Sequence, residues 1–177
     1  MIDFDAPVQR PVHPASLPIE ELLRACSITT RRSGGPGGQR RNKVETAIEL
    51  LHTPTGIAAA ASERRSVNEN RPVAVRRLRL ALATEIRMAV PSGEIRSDLW
   101  RARCRNGRIV CNPLHWDYPS LLAEALDVLE ACGYDSAKAA IRLECTTSQL
   151  HKLIQNQPPA WAKLNQERVR HGMHSLK

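Results

Sequence analysis

Arg31-Arg32-Ser33-Gly34-Gly35-Pro36-Gly37-Gly38-Gln39-Arg40-Arg41-Asn42-Lys43 is the stretch that decides how this chain is read. Its tip, Gly37-Gly38-Gln39, offers only main-chain atoms and one uncharged amide. Arg31, Arg32, Arg40, Arg41 and Lys43 flank that tip. Glycines reach backbone conformations closed to other residues and add no bulk, so the main chain can approach a reacting centre closely. An aligned N–H there can stabilise charge developing on an oxygen during acyl transfer. A glutamine amide can hold or select a water without itself titrating. No Ser-His-Asp or Cys-His pair stands nearby in sequence, so no covalent nucleophile is expected. The same glycines would suit a flexible linker; the flanking cations and the hairpin downstream argue against one.

Working outward, Cys26–Arg32 contains Ile28, Thr29 and Thr30 and predicts a first strand. Thr46–His52 predicts a second, with Ile48 and Leu50 on one face and Ala47, Glu49 and Leu51 on the other. Thr53-Pro54-Thr55-Gly56 has turn chemistry, so Ile57–Ser62 is expected to return as a third strand despite its alanines. Ser66-Val67-Asn68-Glu69 reads as a capping box that opens a long helix. Val75, Leu78, Leu82 and Ile86 form its apolar stripe, with Arg76, Arg77, Arg79 and Arg87 mainly off it. Pro72 conflicts with a regular helix. Either the helix bends there or it begins at Asn70, and the capping pattern favours the bend. Upstream, residues 1–17 hold Pro7, Pro11 and Pro14 and read as an extended arm, followed by a short helix over Ile19–Ala25 behind Pro18.

These residues resemble a known family. Ser33-Gly34-Gly35-Pro36-Gly37-Gly38-Gln39-Arg40-Arg41-Asn42-Lys43 is similar to the catalytic loop of class I peptide chain release factors. The resemblance continues through His52-Thr53-Pro54-Thr55-Gly56-Ile57 and Glu63-Arg64-Arg65-Ser66-Val67-Asn68-Glu69-Asn70-Arg71, covering about residues 26–87. It implies hydrolysis of the ester that joins a nascent peptide to P-site tRNA, at the peptidyl transferase centre of the large ribosomal subunit. By that carry-over the Gln39 N–H would stabilise the transition state and its side chain would help admit water. Gly37 and Gly38 would supply the conformation, and ribosomal RNA the rest of the site. In the family this glutamine is often N5-methylated, which makes Gln39 a modification candidate. Only about thirty residues precede the loop, and nothing resembles the codon-reading tripeptides. The chain is therefore similar to the short, codon-independent members that rescue stalled ribosomes. Those commonly end in a basic tail, whereas residues 116–177 carry seven cations and seven anions.

Composition agrees with a polyanionic partner. The formal net charge is +8 and the isoelectric point about 9.8. Twelve of the 26 cations fall in residues 31–87 against five anions, so the phosphate-facing part is expected there. Arg31, Arg32, Arg40, Arg41, Lys43, Arg64 and Arg65 are the expected RNA-contacting group; an ordinary solvated face is the competing reading. Aromatics amount to 3% of the chain, which disfavours base stacking. Trp100, Trp116 and Trp161 are read as core or interface anchors. Cys26, Cys104, Cys111, Cys132 and Cys145 include no C-x-x-C, so neither a disulfide framework nor a zinc ribbon is indicated, and mostly buried reduced thiols are expected. His52, His115, His151, His171 and His174 are given no ligand role. No metal and no cofactor are expected. Neither a signal peptide nor a membrane-length apolar run stands in the sequence, so a cytoplasmic monomer is expected.

Beyond Pro91-Ser92-Gly93 the pattern changes. Ser97–Arg105 predicts a short helix, Arg108–Cys111 an extended piece, and Leu121–Leu129 an amphipathic helix ending near Gly133. Ser136–Leu143 and Thr146–Ile154 then read as a helix-turn-helix, with Thr146-Thr147-Ser148-Gln149 as a second capping-box pattern. Its second helix offers Thr147, Gln149, His151 and Lys152. A packing module or a protein or RNA contact is the favoured reading, and DNA is not the expected partner. Pro158-Pro159 opens a last helix running to about Gly172. The expected architecture is α+β: an arm and short helix in 1–25, a small sheet with packed helices of β-α-β-β-α-like order in 26–92, and a helical module in 93–177.

Overall fold

The computed structural model describes residues 12–32 and 45–177. The chain divides into two compact units, Pro14–Glu85 and Ile86–Lys177, the second also taking in Val12 and His13. The fold is α+β, with helices and small antiparallel sheets.

In the first unit a 3-10 turn (Pro14–Ser16) and α1 (Ile19–Arg24) precede the sheet β1 (Cys26–Arg32), β2 (Glu45–His52) and β3 (Ile57–Ala61), and α2 (Val67–Glu85) follows. The sheet is antiparallel in the order β1-β2-β3. Register places Ile28, Leu50 and Ala59 side by side, and Thr30, Ile48 and Ala61 in the next row. α2 packs on β2 and β3. Its stripe Val75, Leu78 and Leu82 is buried, as are Ile48, Leu50 and Ala61. Paired residues share a face and strand neighbours alternate, so one face of the sheet carries the core. β1 receives less cover, and Ile28 remains 44% exposed.

Local sequence explains most of these bounds. Gly56 at φ +71° closes the β2–β3 turn, where its N–H and that of Thr55 donate to the His52 carbonyl at 2.9 and 3.2 Å. His52 is itself buried, with Nδ1 2.8 Å from the Thr55 hydroxyl. Burial pushes its imidazole below the ordinary histidine range. Ser66 caps α2 by accepting from the Glu69 N–H at 3.2 Å. The reciprocal half of the capping box differs from expectation. The Glu69 carboxylate accepts from the Ser66 hydroxyl at 2.9 Å instead of reaching a backbone amide. The helix starts ahead of Pro72 and runs through it, which leaves the Asn68 carbonyl without the usual donor four residues on.

Two buried polar groups lock this unit. Asn70 is fully buried. Its Oδ1 accepts from the Arg64 N–H at 2.9 Å, and its Nδ2 donates to the carbonyls of Thr46 at 2.7 Å and Arg64 at 3.1 Å. One side chain thus ties the β3–α2 connection to the start of β2. Arg79, also buried, donates from Nε to the Ala15 carbonyl at 2.7 Å. The extended arm expected through residue 17 is therefore corrected at Pro14–Ser16, where the turn buries Ala15 and takes up the head of Arg79.

The second unit holds α3 (Asp98–Arg103), the two-stranded sheet β4 (Cys104–Arg105) and β5 (Arg108–Ile109), and the helices α4 (Tyr118–Ala131), α5 (Ser136–Arg142), α6 (Thr147–Gln155) and α7 (Pro158–Arg170). The helix expected over Ser97–Arg105 stops two residues early because Asn106-Gly107 makes a two-residue hairpin turn. Both residues have positive φ, +50° and +75°, the combination that matches strand twist. α4 is buried from Tyr118 to Leu129 on every face rather than along one stripe. Its two interior carboxylates have donors: Glu124 accepts from Ser97 N–H at 2.7 Å and Ser97 hydroxyl at 2.6 Å, and Asp127 from Met88 N–H at 3.0 Å. The core is anchored by Trp100, whose Nε1 donates to the Leu143 carbonyl at 2.9 Å, and Tyr118, whose hydroxyl donates to Leu153 at 2.8 Å. The last residues fold back on α7, with Asn165 accepting from Leu176 N–H at 2.7 Å. All five cysteines are free and half-buried; burial pushes the Cys145 thiol up to about 12.

Asn70→Ala orphans the Arg64 N–H and the Thr46 carbonyl, so the first unit should lose about 2–3 kcal/mol in denaturant unfolding; a loss under about 0.5 kcal/mol would contradict the clamp. His52 supplies a second check. Its folded pKa lies below its unfolded one, so stability is full above ~6.5 and declines as pH falls towards the lowered value. The melting temperature should drop more from about pH 7.5 to about pH 5.5 in the parent than in His52→Gln; equal drops would contradict this.

Candidate nucleic-acid interface and catalytic loop

Gly37, Gly38, Gln39, Arg40, Arg41 and Lys43 lie outside the described residues. Their setting is nonetheless fixed at both ends, because β1 stops at Arg32 and β2 starts at Glu45. The pair runs regularly from Cys26 opposite His52 to Arg31 opposite Ala47, then shifts register, so that Arg32 faces Glu45. Such an irregularity re-aims the chain where a ladder ends. The segment carrying Gly37-Gly38-Gln39 therefore leaves and re-enters a paired antiparallel ladder.

The same sheet end gathers the described members of the expected RNA-contacting group. Arg31 and Arg32 close β1, beside the start of β2. The Asn70 clamp brings the Arg64 backbone to Thr46, so Arg64 and Arg65 stand at this end too. All four side chains are exposed. Arg31 reaches Glu49 at 2.9 Å with its side chain 69% exposed, and an exposed pair of that kind contributes little and yields readily to a competing anion. Among the described residues, no ion pair involves Arg32, Arg64 or Arg65.

Other arginines of α2 are committed elsewhere. Arg77 donates to the Ala60 carbonyl at 2.7 Å and pairs with Glu63, and this partner holds the Glu63 carboxyl below its usual range. Arg79 is spent on Ala15. The sequence placed both simply off the apolar stripe; only the fold shows where the heads go. Asn70 and His52 were also missed as positioning residues. The signal for Asn70 was its place one position past the capping box, and for His52 its place just before Thr-Pro-Thr-Gly.

Among the described residues no group of His, Cys, Asp or Glu is arranged to hold a metal ion. No helix of the described residues is long and apolar enough to cross a membrane. The described residues thus give two neighbouring strand ends, Arg32 and Glu45, with the exposed guanidinium groups of Arg31, Arg32, Arg64 and Arg65 at that end of the sheet.

Comparison with known proteins adds the family. The RF-1 domain model matches residues 19–107, half of the chain. The match takes in α1, the whole sheet, α2 and the β4–β5 hairpin as far as Gly107. Peptide chain release factor 1 of Chloroherpeton thalassium is 46% identical over 89 residues, covering 50% of this chain and 24% of that one. Peptide chain release factor 2 of Petrotoga mobilis is 37% identical over 82 residues, covering 46% of this chain and 20% of that one. The chain therefore spans a quarter or less of the length of these relatives. With the loop sequence, the sheet that roots it and the matched domain in agreement, the chain belongs to the class I peptide chain release factor family.

Proposed function

We propose that this chain hydrolyses the peptidyl-tRNA ester on the ribosome without reading a codon, releasing nascent peptide from stalled complexes. The observation that carries the reading is the Gly37-Gly38-Gln39 loop, set between paired strands with exposed arginines at its base. Family membership supports a role in translation termination.

In this reading the guanidinium groups of Arg31, Arg32, Arg64 and Arg65, with Arg40, Arg41 and Lys43, neutralise ribosomal RNA phosphates and hold the loop in place. Water attacks the ester carbonyl carbon and the oxygen gains negative charge. The Gln39 N–H stabilises that charge. The Gln39 amide positions the attacking water, and the glycines let both groups approach. Proton transfer to the departing tRNA hydroxyl falls to the RNA environment, since residues 33–44 include no His, Asp or Glu. N5-methylation of Gln39 would leave one amide hydrogen and so narrow the water's choice of partners.

The alternative is a protein that occupies the ribosome or another structured RNA without hydrolysis. The same basic frame supports it, and it differs in lacking peptide release.

Peptide release should be compared on ribosomes carrying peptidyl-tRNA with an empty A site, a sense codon and a stop codon. The proposal expects release that does not depend on a stop codon. Gln39→Ala should pellet with ribosomes as the parent does while releasing peptide about tenfold or more slowly. Pelleting without release by the parent favours the alternative, and release confined to stop codons contradicts the codon-independent form.

A further inference from the structure

The helix pair α5–α6 carries a feature that peptide release leaves unused. The two helices are joined by Leu143-Glu144-Cys145-Thr146, and Glu144 turns the chain at φ +49°. Ala139, Ala140, Leu143, Leu150 and Leu153 are buried, and α4 packs on both helices. Thr146 caps α6 by accepting from the Gln149 N–H at 3.2 Å. This is a three-helix helix-turn-helix, with small residues where α5 meets its neighbours and a left-handed residue at the turn.

A packing role alone would cover α6. Instead Ser148, Lys152 and Gln155, spaced i, i+4 and i+7, form an exposed stripe, with Thr147 and His151 half-exposed beside it. The capping box foreseen at Thr146 is only half made, because Gln149 turns away to accept from the Ile109 N–H at 3.2 Å. That bond and the one from Thr146 N–H to the Gly107 carbonyl, 3.0 Å, pin the β4–β5 hairpin to α6. Gly107 sits so close that an added Cβ would lie 3.4 Å from the Thr146 methyl. The pinned hairpin presents Arg105 and Arg108, both exposed, beside the start of α6. A polar groove lined by Arg108, Asn112, Gln149, Lys152 and Asn156 continues this face.

The charge is available. Among the described residues Arg105, Arg108 and Lys152 pair with no carboxylate. The acidic residues of α5 and its flanks are already engaged, Asp135 with Lys138 at 3.8 Å and Glu144 with Arg96. We propose that α6 and the β4–β5 hairpin form a docking surface for B-form duplex DNA. A helix enters the B-form major groove, which is about 12 Å wide, and reads it with exposed polar side chains. The A-form major groove of RNA is too narrow to admit one. Single strands would call for stacked aromatics, and the exposed α6 stripe has none. In the complex Arg105, Arg108 and Lys152 contact phosphates, while Thr147, Ser148 and Gln155 face base edges.

The loop and its arginines also attract polyanions, so the informative quantity is the change caused by the Arg105→Ala/Arg108→Ala/Lys152→Ala variant of the full chain. Affinity for a labelled mixed-sequence DNA duplex, and for an RNA duplex of the same sequence, is measured by anisotropy across a salt series. On DNA the variant should bind at least about tenfold more weakly, with the log K–log salt slope smaller by about 3. On the RNA duplex the slope should change by less than about 1. Unchanged helical circular dichroism and peptide release in the variant keep the result separate from folding and from hydrolysis. Equal losses on both duplexes, or no loss on DNA, overturn the proposal.

Discussion

A single buried amide holds the functional end of the first unit together. The Asn70 side chain meets three backbone groups, one on β2 and two on the β3–α2 connection. The β2 partner, Thr46, lies at the point where the chain returns from the glycine loop. The described chain leaves β1 at Arg32 and re-enters β2 at Glu45, next to the clamped Thr46, so both strand ends are held inside the unit.

The arginines divide by the same logic. Those whose heads the fold uses, Arg79 on Ala15 and Arg77 on Ala60 and Glu63, brace α2. Arg32, Arg64 and Arg65, exposed and in no ion pair among the described residues, stand at the sheet end where β1 stops and β2 starts. Guanidinium groups keep their charge under all ordinary conditions and suit phosphate geometry. One basic segment therefore holds both arginines engaged by the fold and arginines left to solvent. In the second unit Arg105 and Arg108 on the hairpin and Lys152 on α6 are exposed and, among the described residues, pair with no carboxylate.

Much of this was legible in the sequence. The strands came from β-branched runs and the Thr-Pro-Thr-Gly turn, and the helices from capping residues at Ser66 and Thr146. Cys26–Arg32 matches its expected bounds, and Glu45–His52 begins one residue early. What escaped was set by distant partners. Arg79 stands four residues after Val75 and three before Leu82, so its position is buried, and a carbonyl 64 positions away accepts from its charged head. Gln149 leaves its capping role for a strand 40 positions away. α4 looked one-sided because Glu124 and Asp127 are charged, but backbone N–H donors meet both carboxylates and let the helix sink on every face. The β4–β5 hairpin was different: Asn106-Gly107 is a strong local signal that the helical pattern around it obscured. Gly37, Gly38 and Gln39 lie outside the described residues, which supply the strand ends on either side of them.

The central claim is that the main-chain N–H of Gln39 does the chemical work. Gln39→Pro removes that hydrogen and leaves the cations untouched, so single-turnover peptide release on ribosomes with peptidyl-tRNA tests it most directly, with Gln39→Ala as the amide-retaining comparison. Loss of one such donor should slow release by about 10²–10³-fold, well beyond the alanine variant, at unchanged ribosome binding. Release by the proline variant as fast as by the alanine variant would contradict the claim.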